Sequence, residues 1–186
     1  MNIINIIKFI GEKNSKYSWD KVKINLPSRP VDGEGYIDEN GKQGEWEKYY
    51  DNKKIKSKGN FVNGKREGHW KEYRYDGGID SIREFKHGLR HGESIQYYDN
   101  GMLWVKSEYI NNTLNGYIRR FYKNGKIWAI GKYVNGEREG YWEEYNEYGV
   151  VERGVYKNDS REGYWETVFP DGSILTTRIY KKGVIS

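Results

Sequence analysis

The chain has 186 residues, no cysteine, three prolines, 23 glycines and 30 aromatics (7 Trp, 18 Tyr, 5 Phe). This length fits one domain or two small ones, and the absence of cysteine excludes disulfides, a thiol nucleophile and thiolate metal sites. Charged residues reach 32% at a mean hydropathy of −1.03, yet 16% aromatic is too rich for a disordered chain, and the net charge of +5 permits an acidic partner without demanding one.

The first 34 residues do not repeat anything later and read as an N-terminal capping segment. Ile3, Ile6, Ile7 and Ile10 fit one face of a short helix, and Val22, Ile24 and Leu26 alternate as a strand that stops at Pro27. The apolar run Ile3–Ile10 is broken by Asn5 and Lys8 and is far below the roughly 20 residues of a membrane span. It also lacks the parts of a signal peptide, so the expected location is cytoplasmic.

From residue 35 to 186 the chain is an array. Gly35-Tyr36-Ile37-Asp38-Glu39-Asn40-Gly41 is a partial copy; full units open near Gly44, Gly68, Gly92, Gly116, Gly140 and Gly163, spaced 24, 24, 24, 24 and 23. Each unit carries two turn signals about 12 residues apart. The first includes Asn100-Gly101, Asn124-Gly125 and Asp171-Gly172; the second includes Asn63-Gly64 and Asn135-Gly136. Both suit type I′ turns, which need positive φ at two residues. The intervening Tyr, Trp, Ile and Val favour strands, and the frequent Gly and Asn-Gly pairs exclude helix. The expected fold is therefore all-β, an elongated single-layer antiparallel meander of 24-residue two-strand repeats, each leaning on its neighbours.

The pattern G-x-W-x-x-Y-Y-x-N-G, as in the segments from Gly44, Gly116 and Gly140, followed by G-x-Y-x-N-G-x-x-x-G, as from Gly131, resembles MORN repeats. It is most similar to a bacterial MORN variant found in antitoxin-type proteins. Ser94 and Ile118 depart from the Trp of the pattern, and Arg83 and Arg178 from the Gly of the second strand. The resemblance implies a binding or scaffolding surface for proteins and sometimes phospholipids, with any catalysis in another domain.

An ideal two-residue first turn places Tyr97 opposite Trp104, Phe121 opposite Trp128, Ser94 opposite Ser107, Ile118 opposite Gly131 and Trp46 opposite Gly59. Period-two alternation then defines two faces. A core face would hold Trp46, Trp70, Trp142 and Trp165 with Ile55, Ile79, Leu103, Ile127, Phe61, Phe85, Tyr109 and Tyr133. The second face would hold Tyr49, Tyr73, Tyr97, Phe121 and Tyr145, with Trp104 and Trp128. The two units lacking the core Trp are the two that gain a Trp here, so Tyr97, Trp104, Phe121, Trp128, Ile82 and Ile130 form a candidate apolar partner-binding patch. Cross-strand packing of these aromatics on one another is the competing expectation.

Arg66, Arg90, Arg138 and Arg161 recur just after the second turn and make a candidate basic edge for phosphates or an acidic protein, interrupted at Leu114. Glu67, Glu139 and Glu162 follow three of them and offer neutralisation. His87 and His91 lie four apart, but the repeat places His87 in a turn, so no metal site is expected. Carboxylates such as Glu47, Glu72 and Glu143 recur with the repeat, as solubilising groups do, and no phosphate or dinucleotide fingerprint opens a helix. The expected function is non-catalytic and without cofactor. A protein partner is favoured, one form being a nuclease or other nucleic-acid-bound defence effector. Direct nucleic-acid binding or an anionic phospholipid surface are the alternatives.

Overall fold

The structure, a computed structural model, describes residues 34–186; the expected capping helix and strand lie outside the described residues. Fourteen strands follow one another as neighbours in a single open antiparallel sheet. They are β1 (Glu34–Asp38), β2 (Gly41–Tyr49), β3 (Ile55–Val62), β4 (Lys65–Tyr73), β5 (Ile79–Lys86), β6 (Leu89–Tyr97) and β7 (Leu103–Ile110). The second half comprises β8 (Thr113–Phe121), β9 (Ile127–Val134), β10 (Glu137–Tyr145), β11 (Val151–Lys157), β12 (Ser160–Val168), β13 (Ile174–Lys181) and β14 (Val184–Ile185). At about 4.8 Å per step the ribbon is about 60 Å long.

The second turn of each unit is type I′ as expected. Asn63-Gly64, His87-Gly88, Asn111-Asn112, Asn135-Gly136, Asn158-Asp159 and Lys182-Gly183 all hold both residues at positive φ. The first turn is not. Each first turn holds a single residue at positive φ (Lys53, Gly77, Gly101, Gly125, Gly149 and Gly172), and Asn100 and Asn124 are not among them. The Tyr98 amide donates to the Met102 carbonyl at 2.8 Å and the Gly101 amide to the Tyr98 carbonyl at 2.9 Å. This is a three-residue loop, a type I turn closed by a left-handed residue. The Asn100 side chain accepts from the Met102 amide at 3.1 Å, so the Asn works through its carboxamide rather than its backbone.

The longer loop displaces the register. Tyr97 pairs with Leu103 and Gln96 with Val105, which leaves Trp104 as a bulge residue. Phe121 pairs with Ile127 and Arg120 with Ala129, which leaves Trp128. Tyr97 therefore does not oppose Trp104, nor Phe121 Trp128. Farther from the turn the expected pairs hold: Ser94 with Ser107, Ile118 with Gly131, Trp46 with Gly59. Lys56, Asp80 and Leu175 are bulge residues by the same pairing. In β10–β11 the ladder runs uninterrupted through Tyr145–Val151 and Glu144–Glu152. The one-residue shortening between Gly140 and Gly163 thus removes the bulge and nothing else.

Because directly paired residues share a face, the bulge exchanges two columns. Ile55, Ile79, Leu103 and Ile127 pair with Tyr49, Tyr73, Tyr97 and Phe121, off the expected core face. The core is a ladder of edge-to-face rings on one face, here the indole face. Trp46, Phe61 and Trp70 form one run, with centroids 5.9 and 4.8 Å apart. Tyr133, Trp142, Tyr156, Trp165 and Tyr180 form another, with centroids 4.9–6.3 Å apart. The ladder is broken between them, where Ser94 and Ile118 replace tryptophan. The opposite, tyrosine face carries surface pairs such as Lys58 with Glu45 and Glu47. On it Tyr145 donates to Glu143; burial and this bond push its hydroxyl up to about 12.

The indoles explain one class of glycine and the bulges another. Trp46 is directly paired with Gly59, but the ring lying over Gly59 belongs to Trp70 of the next strand; a Cβ there would overlap it. Trp142 covers Gly131 and Trp165 covers Gly154 in the same way. Each of these three indoles donates to the carbonyl after its glycine, at 3.0–3.2 Å to Asn60, Lys132 and Val155. Where no indole follows, the glycine is absent: Arg83 pairs with Ser94, and Ser107 with Ile118. Gly68 and Gly140 have open space around them, and positive φ is what demands glycine at these strand bulges.

Candidate functional site

The first-turn margin of the indole face is built from two columns. One is Tyr50, Arg74, Tyr98 and Tyr122, which tie successive units together. Tyr50, Tyr98 and Tyr122 donate to the carbonyls of Tyr73, Phe121 and Tyr145 at 2.6–2.8 Å, and Arg74 donates to Tyr98 at 3.0 Å. The other is the bulge column. Lys56 lies over the Tyr50 ring, Trp104 lies 5.9 Å from Tyr98, and Trp128 lies 6.2 Å from Tyr122. The Arg120 guanidinium sits 5.4 Å from the Trp128 ring and reaches the Tyr133 hydroxyl at 3.4 Å. Since Tyr133 packs on Trp142, Trp128 belongs to the indole face.

The six residues expected to form one patch are therefore divided. Trp104 and Trp128 stand on the indole face, 41% and 39% exposed. Tyr97 and Phe121 pair with Leu103 and Ile127 on the tyrosine face, where Ile82 pairs with Ile95, and Ile130 with Arg119 and Glu143. A bulge re-aims a side chain in this way, and alternation alone does not reveal it.

The arginines do not stand out as an edge; they fold onto the ring ladder. Arg66 lies 4.4 Å over Trp70, Arg90 4.3 Å over Tyr109, Arg138 3.9 Å over Tyr156 and Arg161 4.1 Å over Trp165. Three are neutralised. Arg66 pairs with Glu72 at 3.4 Å, Arg138 with Asp159 at 2.8 Å, and Arg161 with Glu152 at 2.6 Å. Burial works against the Arg161 charge, but bonds to Tyr156, Glu152 and Tyr180 hold its pKa above the ordinary value. The adjacent Glu67, Glu139 and Glu162 instead accept from the amides of His87, Asn158 and Lys182, at 2.7–3.0 Å, in the following turn.

The central hairpins differ. The position six after the column arginine is Glu72 for Arg66 and Glu144 for Arg138, but Gln96 for Arg90. Among the described residues no carboxylate pairs with Arg90 or with Arg120. By pairing register, the indole face of β6–β9 presents Arg90, Ser94, Gln96, Val105, Ser107, Tyr109, Ile118 and Arg120, with no acid. Ser94 is 2% exposed and its Oγ has no hydrogen-bond partner. The result is an acid-free stretch where two ladder indoles are missing, bordered by Trp104 and Trp128, with Ser94, Ser107 and Ile118 buried within it. Sequence reading missed Arg120 and saw Ser94 only as a lost tryptophan; the available signal was Gln96 and Arg120 standing where Glu72 and Glu144 stand in the flanking units.

His87 sits at positive φ with Nδ1 3.7 Å from Glu67, while His91 faces Asn111, so the two make no common site. Among the described residues no group of three or more His, Asp or Glu side chains is placed to hold a metal ion. No helix among them is long and apolar enough to cross a membrane.

No curated protein matches the chain. Segments 42–63, 90–111 and 114–135, which are the β2–β3, β6–β7 and β8–β9 hairpins, match the family model described as the MORN repeat variant. The β4–β5 and β12–β13 hairpins repeat the same pairing and β10–β11 repeats it without the bulge, so the sheet is a tandem array in which three hairpins match the MORN variant model.

Proposed function

We propose that the array is a non-catalytic protein-binding module, acting as an inhibitor, antitoxin-like neutraliser or scaffold, with a defence effector or nuclease as one form of partner. The observation that carries this reading is the pair Trp104 and Trp128. Both are bulge residues, superfluous to the ladder, and both stand half exposed beside Tyr98 and Tyr122. Exposed tryptophans grouped on a rigid sheet are the composition of an interface centre. The MORN-variant hairpins support the same reading, since such arrays serve as binding surfaces.

The test is affinity capture from native lysate, with and without nuclease, using the wild-type chain beside Trp104→Ala/Trp128→Ala. The expected result is one protein retained after nuclease and lost with the variant, while both chains melt alike. Recovery of nucleic acid or lipid alone, or capture indifferent to the variant, overturns the proposal.

A further inference from the structure

We infer that the acid-free β6–β9 stretch of the indole face binds an extended acidic segment of a partner protein, two carboxylates meeting Arg90 and Arg120. This rests on the protein-binding reading and gives it a chemistry. Over β4–β5 and β10–β12 the arginines of this face meet acids: Arg66 and Arg83 meet Glu72, Arg138 meets Glu144 and Asp159, and Arg161 meets Glu152. Among the described residues three guanidiniums of this face lack a carboxylate: Arg178, paired with Trp165 on the penultimate strand, and in the centre Arg90 and Arg120, each held by a ring, Tyr109 for Arg90 and Trp128 for Arg120. Holding a planar guanidinium this way lowers the entropy cost of a carboxylate bond.

Geometry sets the spacing. Arg90 lies two residues beyond the Gly92–Tyr109 pair and Arg120 pairs with Val105, so the two are two strands apart and about six residues apart along β7, a backbone separation of about 22 Å. A single carboxylate or phosphate does not span that. An extended chain rising about 3.3 Å per residue places two acids about six or seven residues apart across it. A nucleic-acid strand presents a charge at every nucleotide and favours a longer run of free cations. Here the run ends on both sides at paired acids, Glu72 on β4 and Glu144 on β10.

The experiment is selection of random 12-residue displayed peptides on the full chain. Two variants run in parallel: Arg90→Gln/Arg120→Gln, and Arg83→Gly/Ser94→Trp, which rebuilds a ladder indole over a glycine and covers the stretch between the two arginines. A third, Arg66→Gln, is the control. Expected are peptides with two acids five to eight residues apart. Binding should weaken at least tenfold with each double variant and less than twofold with Arg66→Gln. Replacing the two acids by Gln in the peptide should cost as much as replacing the arginines. Selected peptides without acids, still lost on Arg83→Gly/Ser94→Trp, overturn the carboxylate inference and leave the protein-binding reading standing. Recovery of no peptide, or binding equally weakened by Arg66→Gln, overturns the inference. Tighter binding of a 12-nucleotide oligothymidylate than of any peptide overturns both.

Discussion

Replacing Trp142 by Ala removes the most enclosed ring of the ladder. Its side chain has no exposed surface, sits edge-to-face between Tyr133 and Tyr156 at 5.3 and 5.9 Å, covers Gly131 and donates to the Lys132 carbonyl at 3.2 Å. A buried Trp→Ala change costs about 3–5 kcal/mol, and each ring pair lost adds to that end of the range by about 0.5–1.5 kcal/mol. Trp104 also carries an indole, but it is 41% exposed and has one ring neighbour. Its loss should cost about 1 kcal/mol. Urea unfolding followed by circular dichroism gives both totals, and amide exchange gives their location. Exchange should accelerate in β9–β11 and stay unchanged in β2–β4, because the ladder is broken at Ser94 and repeat arrays couple mainly to nearest neighbours. Equal stability losses for the two tryptophans, or acceleration spread evenly over the sheet, would refute the assignment of the core to this ladder.

Two further outcomes follow from the same geometry. Gly131→Ala should destabilise by more than Gly140→Ala in thermal melts, because the first drives a Cβ into the Trp142 ring, whereas the second only strains a backbone at φ +75° with open space around it, at about 1–2 kcal/mol. The reverse order would mean that the indole yields easily. Glu72 bears on acid stability. Burial raises its pKa, but the Arg83 charge and hydrogen bond, with Ser81 and Arg66, outweigh this and hold the carboxyl below 4.5. A depressed folded pKa contributes stability above the unfolded value that is lost as pH falls through the folded one. Melting temperature should therefore drop below about pH 4.5, and Glu72→Gln should flatten that drop; an unchanged acid profile in the variant would show that Glu72 does not carry it.

The period, the strands, the second turns and the pairing far from the first turn were legible in the sequence, because Asn-Gly pairs and tryptophans recur at fixed offsets. The first turn was not. Asn100-Gly101 carries the same letters as a two-residue turn, and only the Tyr98–Met102 pairing distinguishes a three-residue loop. That single residue carried the error into the faces, placing Trp104 with Tyr97 and Leu103 with the indoles. The basic column was legible as a column, but spacing says nothing about a guanidinium folding over the ring of its own or the next strand. The covariation of Gly59, Gly131 and Gly154 with Trp70, Trp142 and Trp165 was present in the sequence. It needed the neighbouring hairpin, not the same one, to be read as contact.

The bulge column separates scaffold from message. Ring, glycine and turn positions are fixed by packing or backbone angle, but the bulge residue is extra to the ladder and owes the fold little. Its occupants differ accordingly from hairpin to hairpin: Lys56, Asp80, Trp104, Trp128, none in the shortened unit, then Leu175. Read along the ribbon these slots spell cation, anion, indole, indole, blank and aliphatic at a two-strand pitch. An array built this way can rewrite one letter per hairpin without renegotiating its core.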